Sequence, residues 1–150
     1  MHLPRHPAFA ALRKYNFPPK DFAVFGSGQL WVRGIRKAHD LDILARGAAW
    51  QKALKLGEKK LMIDSGHEYV RLTDGNNGVI EIFNKWVPGE WNENELIDSA
   101  EMIDGVPFVP LEKVIIWKRR MNREKDRIDL KLISAYLKIH QPVRRPGRSG

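Results

Sequence analysis

A single-domain mixed α/β fold is what this sequence predicts, and three observations carry that prediction. Short apolar runs of strand length, at 22–25, 41–44 and 79–83, alternate with segments whose apolar residues recur at helical spacing. Asp74-Gly75-Asn76-Asn77-Gly78, flanked by strand-like segments at 68–72 and 79–83, is a strong hairpin signal. The stretch from Pro110 onward carries only helical spacing. Interleaved helices and strands with a hairpin predict a mixed sheet, helices against one face, and a C-terminal helical pair.

The elements follow in order. Residues 7–15 form a short helix, and Pro18-Pro19 ends that segment. Phe22-Ala23-Val24-Phe25 is a buried strand stopped by glycine, and residues 29–36 begin a helix. Leu41, Ile43 and Leu44 mark a second strand. Residues 48–56 are helical in composition and end at Gly57, a plausible C-cap. Strands follow at 59–63, 68–72 and 79–83, then a loop over 86–91 containing Pro88-Gly89. A short helix covers 93–99, and brief strands at 102–103 and 108–109 flank the Asp104-Gly105 turn. Pro110 favours a helix start, with Leu111, Val114, Ile115 and Met121 on its apolar side. A last helix, 123–139, is expected to bury Ile128, Leu132, Ile133, Tyr136 and Leu137. No repeat or second domain is visible, so residues 1–140 read as one domain and 141–150 as a flexible basic tail.

Chemistry concentrates in Gly26-Ser27-Gly28 and Asp40-Leu41-Asp42. Glycine lets backbone amides approach an anion closely, and a helix N-terminus favours negative charge. The Ser27 hydroxyl can donate to a phosphate oxygen. Arg33 and Arg36, on the helix that follows, either contact phosphate or solvate that helix. Residues two apart on a strand share a face, so Asp40 and Asp42 point together while Leu41 and Ile43 pack inward. Adjacent carboxylates repel unless a cation or shared proton lies between them, and magnesium suits that need. Glu81, polar within Val79-Ile80-Glu81-Ile82-Phe83, is the candidate third acid; otherwise it pairs across strands with Arg71 or Lys85. Lys125 and Asp129 are four apart, a spacing that also suits an ordinary helical ion pair.

In this order and spacing the chain resembles the nucleotidyltransferases related to DNA polymerase β. Their signature is a Gly-Ser turn, a variable helix, Asp-x-Asp on a strand and a third carboxylate on a later one. The matching residues are Gly26, Ser27, Asp40, Asp42 and Glu81. The chain is similar to the small minimal nucleotidyltransferases and the abortive-infection toxin type, which carry a Lys and an Arg-x-Lys/Arg-Asp-x-x-Asp segment in C-terminal helices. Lys118 and the run Arg123, Lys125, Asp126, Asp129 match these. The resemblance implies a nucleotidyltransferase-like fold and transfer of a nucleoside monophosphate from an NTP such as ATP, with release of pyrophosphate. It implies Mg²⁺ or Mn²⁺ on Asp40, Asp42 and Glu81, phosphate contacts from Lys118 and Arg123, and Asp126 or Asp129 near the acceptor, as base. The acceptor is tRNA, a protein side chain or a small molecule, and a toxin–antitoxin partner is an inference by analogy.

Composition narrows the classes. The 150 residues, 43% of them hydrophobic, are enough for a core, and the absence of cysteine excludes disulfides and thiol catalysis. No apolar run reaches membrane-span length and no signal-peptide core is visible, so a cytoplasmic protein with no membrane partner is expected. The net charge of +8, densest late in the chain, favours polyanionic partners. The five histidines lack zinc-ligand spacing. The competing reading is a non-catalytic module of the same fold that binds nucleotide, nucleic acid or a partner protein.

Overall fold

Among the described residues seven strands, numbered in chain order, form one mixed sheet: Lys59–Leu61 (β3), Glu68–Thr73 (β4), Val79–Phe83 (β5), Asp40–Ala45 (β2), Phe22–Phe25 (β1), Val106–Phe108 (β7) and Glu101–Ile103 (β6), each beside the next. The computed structural model describes residues 1–63, 65–73, 75 and 78–140. The expected tail at 141–150 and parts of the 74–78 turn lie outside the described residues.

Helix α1 (Pro7–Tyr15) starts on proline, and the His6 ring accepts the Ala8 N–H at 3.1 Å. A 3₁₀ turn leads into β1 (Phe22–Phe25), which pairs antiparallel with β2 (Asp40–Ala45) and parallel with β7 (Val106–Phe108). Helix α2 is Ser27–Val32, shorter than the sequence suggested. Gly34 (φ +72°) ends it: the Gly34 N–H bonds Trp31 C=O and the Ile35 N–H bonds Leu30 C=O, a Schellman closure. After α3 (Gly47–Leu56) come β3 (Lys59–Leu61), β4 (Glu68–Thr73) and β5 (Val79–Phe83), joined antiparallel in sequence. Strand β5 then lies parallel to β2. Helix α4 (Glu93–Asp98), the β6 (Glu101–Ile103) and β7 hairpin, α5 (Leu111–Met121) and α6 (Glu124–Ile139) complete the chain.

Alternation along the strands sends apolar side chains to both faces of the sheet. Val24, Leu41, Ile43, Ile80 and Ile82 pack with α1 and α3. Ala23, Phe25 and Leu44 pack with α4 and α5 on the other face, and Ile133 of α6 joins them. The C-terminal pair therefore covers the face opposite α1 and α3. Asp40, Asp42 and Glu81 alternate with cluster residues of the α1/α3 side, so they face the C-terminal pair.

Two features of the packing stand apart, and the first departs from helical spacing. Ile128, Leu132 and Leu137 are 54%, 38% and 39% exposed, whereas Asp126, Asp129 and Ile133 are buried. The first turns of α6 are oriented by charge, because Asp126 and Asp129 turn inward to meet cations of α5 and of the segment after α2. The second feature is aromatic: Trp86 stacks on Phe25 with centroids 3.9 Å apart and tilts against Trp117, yet its buried Nε1 has no hydrogen-bond partner. Trp86→Phe keeps most of the ring burial and removes the stranded donor, so it should change stability by less than about 1 kcal/mol. Trp86→Ala should cost about 3–5 kcal/mol in urea unfolding. Equal losses in the two variants would refute this account.

Candidate functional site

The sheet brings the three sequence-distant acids to one place. Asp42 is the direct register partner of Glu81 on the parallel β2–β5 pair, and Asp40 stands opposite Val79 one step away on the same face. Phe25, the last residue of β1, is the partner of Asp42 on its other side. Asp42 thus lies between Glu81 and the Gly26–Ser27 turn.

This crowding has an electrostatic signature. Burial first, then the neighbouring charges of Glu81 and Asp40, push the Asp42 carboxyl up to about 7, against smaller opposing effects of Lys125 and Lys118. Burial also raises Glu81, Arg71 counters it, and Asp40 adds to the rise. Glu81 pairs loosely with Arg71 at 3.8 Å, while Lys85 pairs with Glu93 at 3.9 Å instead. The cross-strand partner and the acid cluster therefore coexist. Among the described residues, no three His, Cys, Asp or Glu side chains converge tightly enough to hold a metal ion as they stand. The donor chemistry nevertheless fits a hard divalent cation: three anionic side chains share one patch, and burial and mutual repulsion raise two of them.

The turn before α2 has two different glycines. Gly26 has φ +65°, and a Cβ there would lie 3.6 Å from Asp42 Oδ2, so its lack of a side chain opens the turn onto the acids. Gly28 is buried, and a Cβ would sit 2.3 Å from Val24 Cγ1 and 3.3 Å from Leu41 Cδ2. Its glycine is explained by close helix-on-sheet packing, whatever its N–H contributes at the turn. Gly28→Ala should therefore cost about 1–3 kcal/mol by overpacking. A thermal melt showing unchanged stability would contradict that assignment.

Across from this turn lies a buried ion network. Asp129 accepts from Arg36 Nε at 2.6 Å, from Arg36 Nη2 at 2.7 Å and from Lys118 Nζ at 2.8 Å. The same Arg36 Nη2 donates to Ser27 Oγ at 2.8 Å, which links α6 to the turn. Lys118 is 2% exposed and also lies 3.7 Å from Asp126. Asp126 accepts from the Arg123 backbone N–H at 3.0 Å and from Arg123 Nε at 2.7 Å, half of a capping box at the start of α6. Burial alone would raise both aspartates, but in Asp129 the bonds from Arg36 and Lys118, and in Asp126 those from Arg123, outweigh it and hold the carboxyls below the usual range. Asp129 is engaged by Arg36 and Lys118, so its expected helical pairing with Lys125 is not what fixes it.

These placements sort the sequence candidates. Asp40, Asp42, Glu81, Gly26, Ser27, Arg36, Lys118, Arg123, Asp126 and Asp129 converge on one face. Arg33 does not join them: its guanidinium donates to Gln29, Tyr136 and Glu101 and braces α2 against β6 and α6. Asp42, Trp117 and Arg123 line two adjoining cavities. The smaller, about 150 Å³, adds Gly26, Ser27, Arg36, Lys118 and Lys125. The larger, about 420 Å³, adds Glu81 and a wall that includes Phe83, Trp86, Pro88 and Trp117. The sequence reading did not anticipate this aromatic wall, whose residues come from β5, the following loop and α5. Their only local signal is the density of Trp, Phe and Pro between 83 and 91.

Comparison with protein-family models, curated proteins and solved structures finds no match. Among the described residues, no helix is long and apolar enough to cross a membrane.

Proposed function

We propose that this protein is a nucleotidyltransferase that moves a nucleoside monophosphate from an NTP to an acceptor hydroxyl. The observation that carries the reading is the Asp42–Glu81 register pair, with Asp40 beside it, next to a positive-φ glycine and serine that open a helix. Gly26, Ser27 and the cations of the small cavity would receive the phosphates. Lys125 is the exposed cation there, whereas Lys118 acts through Asp129 and Asp126 as a buried strut. Asp40, Asp42 and Glu81 would hold Mg²⁺ or Mn²⁺, which supplies charge neutralisation at the transferring phosphate and lowers the pKa of the attacking hydroxyl. The protein's own contribution is positioning and fixed charge. ATP as the NTP, a cytoplasmic setting and a toxin–antitoxin partner remain part of this proposal by analogy.

The test is incubation with each labelled NTP, Mg²⁺ or Mn²⁺, and cell RNA or lysate, comparing wild type with Asp40→Asn and Asp42→Asn. Label should pass to an acceptor with wild type and fall at least about a hundredfold in either variant. Equal transfer by all three proteins, or none across a broad acceptor panel, rejects the reading. The Arg71–Glu81 pair favours the competing view of a non-catalytic nucleotide-binding module. That view expects NTP to be retained with no label transferred.

A further inference from the structure

The two cavities differ in chemistry, and they meet at Asp42. The small one is walled by Arg36, Lys118, Arg123 and Lys125 and touches the Gly26–Ser27 turn. The large one contains neither the turn nor Arg36; it holds Glu81, Lys85 and an apolar wall of Met62, Phe83, Pro88 and Trp117. The sheet order explains the division, because β1 and its turn flank β2 on one side and β5 with Glu81 flanks it on the other.

Phosphoryl transfer places the attacking and leaving oxygens roughly in line across the phosphorus. If the leaving pyrophosphate rests at the turn, the attacking hydroxyl must arrive from the far side of Asp42. The far side is the large cavity. At about 420 Å³ it falls in the range of small-ligand sites. Its wall is rigid: Trp86 is stacked on Phe25, edge-on to Phe83 and tilted against Trp117, and the Trp117 Nε1–H is held by Val87 C=O at 3.0 Å. Such a surface suits a flat aromatic ring, as in base stacking on aromatic platforms. Positive charge flanks it. Arg123 lies over the Trp117 ring at 5.6 Å, and the Lys85 side chain is 60% exposed, with only a long contact to Glu93.

Resting on the nucleotidyl-transfer reading, we propose that the large cavity is the acceptor subsite and takes a nucleotide unit. Its base lies against the Phe83–Trp117 wall, its phosphate meets Lys85 and Arg123, and its sugar hydroxyl faces Asp42 and Glu81. A free mononucleotide and the terminal nucleotide of an RNA strand share this chemistry. A protein tyrosine would supply a ring and a hydroxyl but bring no phosphate to Lys85 and Arg123.

The test is titration of the full chain, followed by its tryptophan fluorescence, with AMP, GMP, CMP and UMP, with the matching nucleosides, with a short ribo-oligonucleotide bearing a free 3′-hydroxyl, and with N-acetyltyrosinamide. Each titration is run alone and with a saturating non-hydrolysable NTP and Mg²⁺, whose own binding is measured separately. At least one monophosphate or the oligonucleotide should quench the fluorescence and still do so with the NTP analogue bound. Lys85→Glu should weaken that binding about tenfold and leave nucleoside binding unchanged, and Met62→Glu, which puts charge inside the cavity, should weaken both. An oligonucleotide at least about tenfold tighter than the monophosphates assigns the RNA end; comparable affinities assign the free nucleotide. Quenching by N-acetyltyrosinamide alone, nucleotide binding abolished by the NTP analogue, or indifference to Lys85→Glu overturns the assignment. Binding of the NTP analogue with no second nucleotide site overturns it while sparing the transferase reading. Nucleotide binding in this cavity without NTP binding sinks the transferase reading instead.

Discussion

Asp42→Asn should abolish label transfer and, in the same protein, raise fold stability at neutral and alkaline pH. The two effects have one origin. The native Asp42 carboxyl titrates at about 7, whereas an unfolded aspartate titrates near 3.8. Between those values the native chain keeps a proton that the unfolded chain has released, so stability falls as pH rises. The loss begins near pH 4 and is complete a little above pH 7. The shift corresponds to as much as about 4 kcal/mol, at about 1.4 kcal/mol per pH unit. Asparagine has no such titration. In chelator, urea unfolding of the two proteins should therefore diverge from pH 5 to pH 8, with the variant the more stable at pH 8. Parallel pH profiles would contradict the burial of the Asp42 carboxyl beside Glu81 and Asp40. A variant that is more stable and inactive is the pattern of a site whose charge is kept at a cost to the fold.

The second large effect is expected at Asp129. Asp129→Ala leaves Lys118, 2% exposed, with Asp126 at 3.7 Å as its remaining ion-pair partner, and removes both bonds from Arg36. Stranding one member of a buried ion pair costs about 3–5 kcal/mol. Lys118→Met is the informative counterpart. It replaces the buried cation with an apolar chain of similar length, while Arg123 still holds Asp126 and Arg36 still holds Asp129. Its cost should stay below about 2 kcal/mol. A Lys118→Met protein less stable than Asp129→Ala would mean that the lysine, and not the aspartate, is the centre of the network. Asp129→Ala should also weaken NTP binding, because Arg36 then loses the carboxylate that orients it toward Ser27.

Much of this architecture was legible in the chain itself. The strand at 22–25, the hairpin pairing of β4 with β5 and the two C-terminal helices follow from apolar period and turn chemistry. The acid cluster was readable because Asp40 and Asp42 share a face by strand period and Glu81 interrupts an apolar strand. What the sequence could not supply was the pairing of β5 beside β2, which makes Glu81 the neighbour of Asp42 across a long chain separation. Helical spacing misled at α6, where Ile128 and Leu132 fit an apolar stripe but the buried face belongs to Asp126 and Asp129. Periodicity treats charge as a surface marker, and that fails where opposite charges are buried together. A signal did exist in α5: Lys118 falls four after Val114 and seven after Leu111, which places it on the inward side. Gly28 in a Gly-Ser-Gly turn suggests an opening for phosphate, but local sequence does not reveal that Val24 and Leu41 fill the space beside it.

The two outermost strands also bear on how the molecule behaves in company. β3 and β6 are three residues each, and β3 is Lys-Lys-Leu with every residue exposed. Unpaired backbone along a sheet border invites another chain to extend the ladder, and brevity with lysine is a natural deterrent. A concentrated solution of this protein is thereby guarded against growing end-to-end ribbons, and replacing Lys59 and Lys60 with valine would remove that guard.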